Sequence, residues 1–148
     1  MPCPYCEGST KAIGSRPRML YRKDASVTKL IIRRLQCMNC GCIHHELPDI
    51  IIPYKRYDSE TIAGILTRDA DNLQDFPGEL STALRLKLWL FLLCDYIEGT
   101  LYALKELYHL KSLLLLPLYP LERQADGWLA ALVRKLVNSG RWPQTRSA

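Results

Sequence analysis

The chain of 148 residues has no apolar run long enough to cross a membrane. The longest uninterrupted run extends from Leu88 to Cys94, far short of the roughly 20 residues that a transmembrane helix needs. The first residues also show no basic stretch followed by an apolar run and a small-residue cleavage site, so no secretory signal is predicted. We therefore expect a cytoplasmic protein with no membrane-bound part.

The sequence also has few of the patterns that mark catalytic sites. It has neither a glycine-rich phosphate loop nor the serine, histidine and aspartate ordering of a hydrolase. Carboxylates are concentrated in one polar stretch, at Asp69, Asp71, Asp75 and Glu79. In a two-metal nuclease, by contrast, the carboxylates converge from separate elements to hold two ions. We predict a solvated acidic loop here and a protein that is not an enzyme.

Cysteine is the informative residue type, because four of the six cysteines form two CxxC units, Cys3 with Cys6 and Cys37 with Cys40. Cytosolic cysteines are rarely paired as disulfides. Two residues between cysteines allow a tight turn to direct both sulfurs at one metal ion. The intervening residues, 7–36, are enough for a β-hairpin that brings the two units together. We predict one structural Zn²⁺ bound by these four cysteines.

Other groups near the second unit are weaker candidates. Cys42 lies two residues past Cys40 and is expected to be a small buried hydrophobic residue. His44 and His45 are adjacent, so they point to opposite faces of a strand and only one of them can approach the metal. The alternative is that one histidine packs against the ribbon while the other faces solvent or a phosphate. A thioredoxin-like role for CPYC would require a preceding strand in a βαβ unit.

The residues around the cysteine units favour a small β ribbon. Strands are predicted at 18–22 and 27–36, joined by a turn at 23–26, with a third short strand within 42–46. Such a ribbon has almost no apolar core. We therefore expect the metal to stabilise it, since structural zinc contributes roughly 10–16 kcal/mol in comparable modules.

A different pattern follows the ribbon. Residues 47–54 are predicted to be extended, because both prolines in this stretch disfavour helix at the preceding residue. Asp58 or Ser59 is expected to cap a short helix that ends at Leu66. The polar residues 67–77 then indicate a loop.

The remainder of the chain is leucine-rich and helical in pattern. A long helix is predicted after Gly78, with Gly99 as a possible kink, and a final helix over 128–137 is expected to stop near Gly140. The long helix carries one apolar stripe, formed by Leu86, Leu90, Leu93, Ile97, Leu101, Leu104 and Tyr108.

Together these patterns predict an α+β protein with two modules. Residues 1–57 would form the zinc ribbon and its extended connector. Residues 58–148 would form a mainly helical domain. Whether its helices are arranged as in a helix-turn-helix is left open by these patterns.

Charge is unevenly distributed between the two halves. Residues 1–68 contain eleven lysines and arginines and six acidic residues, whereas residues 69–148 contain nine of each. Basic residues interleaved with tyrosines suit a phosphate-lined surface, although a merely solvated face is the alternative. The tyrosines are Tyr21, Tyr54 and Tyr57, and the basic candidates are Arg16, Arg18, Arg22, Lys23, Lys29, Arg33, Arg34, Lys55 and Arg56.

Several stretches carry a resemblance to a known group of proteins. They are CPYC near the start, RRLQCMNCGCIHHELPD over 33–49, PYKRY over 53–57, and NSGRWPQTRSA at the end. With these stretches the chain resembles a family of bacterial zinc-ribbon proteins of uncatalogued function that accompany transposases. The resemblance implies a helix-turn-helix after the ribbon, with residues 81–89 as the counterpart of its recognition helix, and DNA binding tied to mobile elements.

Two functions of different classes follow. In the first, the protein binds DNA: the ribbon arginines with Lys55 and Arg56 neutralise phosphates, and Arg85 or Lys87 reaches base edges. In the second, the protein is an adaptor whose helical half docks on a partner protein, such as a transposase subunit. Salt dependence separates them, since five neutralised phosphates predict a slope of about −4 to −5 in log K against log salt.

Overall fold

The computed structural model describes residues 2–68, 76, 78–110 and 117–143. A three-stranded antiparallel sheet is followed by helices, which confirms the predicted α+β class. The elements are β1 Thr10–Tyr21, β2 Val27–Cys37, β3 Ile43–His45, α1 Ser59–Thr67, α2 Leu80–Leu107, a short 3₁₀ turn Leu121–Arg123, and α3 Trp128–Asn138.

The sheet has the strand order β1-β2-β3. Strand β1 pairs with β2 from Tyr21 opposite Val27 to Thr10 opposite Cys37. This long pairing explains why β1 starts well before the predicted residues 18–22. The predicted turn is present, and the Asp24 carboxylate accepts a hydrogen bond from the Ser26 N–H at 2.9 Å.

The ribbon has a very small apolar core, as predicted. Its buried cluster consists of Leu20, Ile32 and Ile51, with Leu30 and Leu47 packed at the side. Full burial of one such side chain contributes about 1.5–3 kcal/mol. Three of them offset only a small part of the conformational entropy lost by a ribbon of this length.

The helices share a larger core. Helix α1 begins where expected, because the Asp58 side chain caps it and accepts from the Thr61 N–H at 2.7 Å. Helix α2 runs through Gly99 without interruption. Most of its predicted stripe is buried against α1 and α3, but Tyr108 is 63 % exposed because the helix ends at Leu107.

The connector is not extended throughout, and the prediction for 47–54 is wrong in this respect. Turns occur at 49–50 and 53–54. They allow adjacent side chains to reach different cores: Ile51 packs in the ribbon cluster, whereas Ile52 packs with the helices. The chain therefore joins the ribbon to the helical half through two consecutive buried residues.

Some predictions lie outside the described residues. The acidic loop 67–77 is described only at 67, 68 and 76, so Asp69, Asp71 and Asp75 have no structural account. The C-terminal residues 144–148 are likewise outside the described range. In the part of the chain that is described, no helix combines the length and apolarity needed to cross a membrane.

Candidate metal centre and basic groove

The structure brings together the four cysteines of the two CxxC units. The Sγ atoms of Cys3, Cys6, Cys37 and Cys40 all lie within 4.8 Å of one another. The Cys3 and Cys40 sulfurs are 3.7 Å apart, and the Cys6 and Cys37 sulfurs are 3.4 Å apart. Four sulfurs around a tetrahedral zinc, at about 2.3 Å from the ion, would be about 3.8 Å apart. The group can therefore hold a metal ion with only small adjustments.

Two similar turns present the cysteines. The Glu7 N–H donates to the Cys3 carbonyl at 2.8 Å, and the Gly41 N–H donates to the Cys37 carbonyl at 3.1 Å. Glu7 and Gly41 both have positive φ, at 57° and 72°. Each turn thus closes four residues after its first cysteine, and the pairing of Thr10 with Cys37 holds both turns at one end of the sheet.

Hydrogen bonds shift the pKa values of two of the thiols, Cys37 and Cys6, in opposite directions. The backbone N–H of Cys40 is the main cause that lowers the pKa of Cys37, to about 6, against the effect of its burial. At Cys6, the Gly8 N–H lowers the pKa, but Cys37, burial, Cys40 and Cys3 together raise it to about 12. At least one thiolate is therefore available at neutral pH, which is the form that binds a metal.

One of the two histidines approaches this group. Nε2 of His44 lies 3.2 Å from Sγ of Cys3, and its ring centroid lies 5.6 Å from that of Tyr5. His45 belongs to the opposite face of the sheet, as strand alternation requires. Cys42 is half-buried and is not part of the four-sulfur group.

A small groove collects several of the predicted basic residues. It has a volume of about 290 Å³ and lies between β1 and the turn that follows Ile52. Arg16, Arg18, Lys55 and Arg56 line it, together with Pro17, Met19 and Tyr54. No carboxylate is present in this lining.

Two of these basic residues have structural roles at the base of the groove. The Arg18 guanidinium donates to the carbonyl oxygens of Ile52 and Lys55, at 3.3 and 2.6 Å. The Lys55 ammonium lies 4.5 Å from the ring centroid of Trp89, and burial lowers its pKa. Arg18 therefore attaches β1 to the connector and Lys55 attaches the connector to α2, while both residues line the groove.

The other two basic residues point outward. Arg16 and Arg56 are exposed, and within the described residues their side chains have no hydrogen bond or ion pair. Arg34 and His45 lie opposite each other on β2 and β3, on the face of the sheet that also carries Arg16. Burial lowers the pKa of His45, with further contributions from Arg16, Arg34, Arg18 and His44. The positive surface thus continues from the groove towards β3.

The remaining predicted candidates are dispersed. Arg33 is on the other face, in a two-bond ion pair with Glu46 at 2.7 and 2.9 Å. Arg22 is half-buried and donates to the Thr28 hydroxyl. The others are not among the residues that line the groove: Lys23 is exposed in the β1–β2 turn, Lys29 is exposed on β2, Arg85 is exposed on α2, and Lys87 donates to the Arg68 carbonyl.

The sequence reasoning missed two features of this surface. One is the convergence of Arg16, Arg34 and His45, which strand parity would have indicated if β1 had been extended to Thr10. The other is the conformation of Tyr54, whose φ of 65° is unusual for a bulky residue. Pro53 could have indicated this conformation, because proline is common in the second position of type II turns, whose third residue has positive φ.

Comparison with known proteins gives a family but no activity. No curated protein and no solved structure matches the chain. A family model described as a domain of unknown function, DUF6431, matches residues 3–86. This segment covers more than half of the chain and includes all four cysteines and the whole groove. The chain therefore belongs to the DUF6431 family.

Proposed function

We propose that this protein is a zinc-stabilised, non-catalytic DNA-binding protein that acts with a transposase on mobile genetic elements. The donor set supports zinc, because four thiolates in tetrahedral arrangement suit Zn²⁺ and leave no open position for a substrate. The ion would stabilise a ribbon whose own buried cluster has three residues. The transposase association rests on the sequence resemblance alone.

The basic groove is the observation that carries DNA binding. Arg16 and Arg56 are exposed beside it without a partner among the described residues, and Arg18 and Lys55 add charge beneath them. Cationic groups held close together without a carboxylate repel one another. A phosphate backbone relieves that repulsion, so the arrangement favours a polyanionic ligand.

The contrast with Arg33 supports this assignment. Its guanidinium is already neutralised by Glu46 through two hydrogen bonds. An arginine in such a pair has two of its five N–H donors occupied and its charge largely compensated, so it attracts a phosphate less strongly. Arg16, Arg34 and Arg56 have no ion pair among the described residues, and they are therefore the better phosphate ligands.

A salt titration of the zinc-loaded intact chain tests the proposal. Log K for a fluorescent DNA fragment should fall linearly with log salt. Replacing both Arg16 and Arg56 with alanine should weaken binding and reduce the slope by about 2 units, since each lost phosphate contact removes about 1. Arg33→Ala is the matched control and should leave the slope unchanged. DNA binding would be rejected if no salt-dependent binding were found.

One observation favours the adaptor function as a second candidate. Helix α2 exposes a run of large apolar side chains, Leu84, Leu88, Phe91 and Leu92, each between 48 and 69 % exposed. Apolar residues on an outer helix face are typical of protein interaction sites. Under this alternative the partner is a transposase subunit. Replacing Leu88 and Phe91 with serine should then abolish binding to the purified subunit and leave the salt titration unchanged.

A further inference from the structure

Tyr54 lies at the edge of the groove in a conformation that its own residue type disfavours. The Lys55 N–H donates to the Ile52 carbonyl at 3.1 Å and closes a four-residue turn with Pro53 second and Tyr54 third. Tyr54 has a φ of 65°. The third position of a type II turn has positive φ and is usually glycine or asparagine. A tyrosine there opposes the local backbone preference.

The fold makes little use of the Tyr54 ring. The residue is 65 % exposed, and the described residues give its ring no hydrogen bond and no aromatic contact. Residues held in sparsely populated backbone conformations cluster at functional sites, including ligand-binding sites. Tyr54 lines the groove together with Arg16 and Arg56, the two groove arginines whose side chains have no partner in the described structure.

The shape of the groove indicates which form of nucleic acid it suits. Duplex DNA is read by elements that protrude into its grooves, such as a helix or a two-stranded ribbon. This site is instead a concavity of about 290 Å³ between β1 and the turn at 52–55. Concave sites that combine cationic groups with an exposed aromatic ring bind unpaired bases by stacking.

We propose that the groove binds single-stranded nucleic acid, with one base stacked on Tyr54 and the adjacent phosphates held by Arg16 and Arg56. This inference rests on the proposed nucleic-acid-binding function and specifies its ligand. Stacking is tolerant of sequence because every base has an aromatic face. The site should therefore distinguish single strands from duplexes more strongly than it distinguishes one base from another.

The test compares one mixed-sequence 12-nucleotide strand with its duplex, by fluorescence anisotropy at constant salt, using the zinc-loaded intact chain. Wild type should bind the single strand more tightly than the duplex. Tyr54→Gly should weaken single-strand binding about tenfold, whereas Tyr54→Phe, which retains the ring, should bind like wild type. Tyr102→Ala removes another exposed tyrosine, on α2, and should have no effect.

Stability measurements separate loss of stacking from loss of folding. Glycine relieves the positive φ of residue 54, so Tyr54→Gly should unfold at about the same temperature as wild type. Tyr54→Asn is the second variant, since asparagine also tolerates this conformation, and it should lose the same single-strand affinity.

Three results would overturn the inference. Equal affinity for strand and duplex, or wild-type affinity in both Tyr54→Gly and Tyr54→Asn, would refute the stacking site and leave DNA binding through phosphates in place. Absence of salt-dependent binding to either ligand would refute the proposed function, and this inference with it.

Discussion

Nε2 of His44 lies 3.2 Å from Sγ of Cys3, close enough for a hydrogen bond between the imidazole and a candidate metal ligand. His44 is held in place by its position on β3, opposite Leu35, and by the neighbouring Tyr5 ring. When Cys3 is a thiolate, the imidazole N–H donates to the sulfur. Such partners orient a metal ligand and reduce the negative charge of the site.

Replacing His44 with alanine should therefore weaken zinc binding. Loss of a hydrogen-bond partner to a metal ligand typically lowers metal affinity by about 10- to 100-fold. Competition with a chromophoric chelator measures this change directly. His45→Ala is the control, because His45 faces the other side of the sheet, and its affinity should equal that of wild type. Equal affinity in His44→Ala would show that the hydrogen bond has no influence on the metal.

Serine variants of the cysteines should differ clearly in how much metal they bind. Cys37→Ser and Cys40→Ser should each reduce the bound metal well below one ion per chain, since both remove a sulfur from the four-sulfur group. Cys42→Ser should retain one ion, because Cys42 lies outside that group although it is only two residues from Cys40. Elemental analysis of the purified variants gives the ratio.

Metal removal should also unfold the ribbon. Its buried cluster has three residues, so without the ion little remains to offset its conformational entropy. Loss of the β signal in circular dichroism after chelation is the expected result, with recovery on addition of Zn²⁺. A chelated protein with unchanged β signal would mean that the sheet is stable without metal.

Replacing Arg18 should lower the free energy of unfolding more than replacing the exposed Arg16 does. Its guanidinium supplies hydrogen bonds to the Ile52 and Lys55 carbonyls. In Arg18→Ala the Lys55 carbonyl loses the guanidinium donor, whereas the Ile52 carbonyl keeps the Lys55 N–H, and the free energy of unfolding should fall by about 1–3 kcal/mol. Arg16→Ala removes the same side chain from an exposed position and should change stability by less than about 0.5 kcal/mol. Urea denaturation of the two variants measures both values.

The four-cysteine cluster could be predicted from the sequence because each half of it depends on neighbouring residues. Each CxxC unit specifies its own turn, and the hairpin between Cys6 and Cys37 requires only that two strands pair. The N-cap at Asp58 and the stripe of α2 could be predicted for the same reason, since a cap or a helical face depends on residues three or four positions apart.

The groove could not be predicted in this way, because it depends on residues that meet only in the fold. Lys55 and Arg56 are adjacent and equally basic in the sequence. The turn closed by Lys55 directs one of them onto the ring of Trp89 and leaves the other exposed. Likewise Arg33 and Arg34 differ only in strand parity, and a distant acid, Glu46, neutralises one of them.

If the protein binds DNA as proposed, the affinity should depend on pH through protonation of the His45 imidazole. Burial and the surrounding Arg16, Arg34 and Arg18 lower the pKa of His45 in the free protein, so the imidazole is neutral at pH 7. Since the unfolded chain takes up this proton at higher pH than the folded protein, His45 lowers stability as pH falls below about 6.5.

If nucleic acid binds as proposed, a phosphate beside Arg16 and Arg34 would offset part of the positive charge around His45 and raise its pKa. Binding then takes up a proton, and affinity should increase as the pH is lowered from about 7.5 to about 6. In NMR titrations the His45 ring should titrate at higher pH with the oligonucleotide than without it. His45→Ala should remove most of the pH dependence while the metal content stays at one ion per chain. An unchanged His45 pKa on binding would place the nucleic acid away from Arg34, and would restrict phosphate contacts to the groove beside Tyr54.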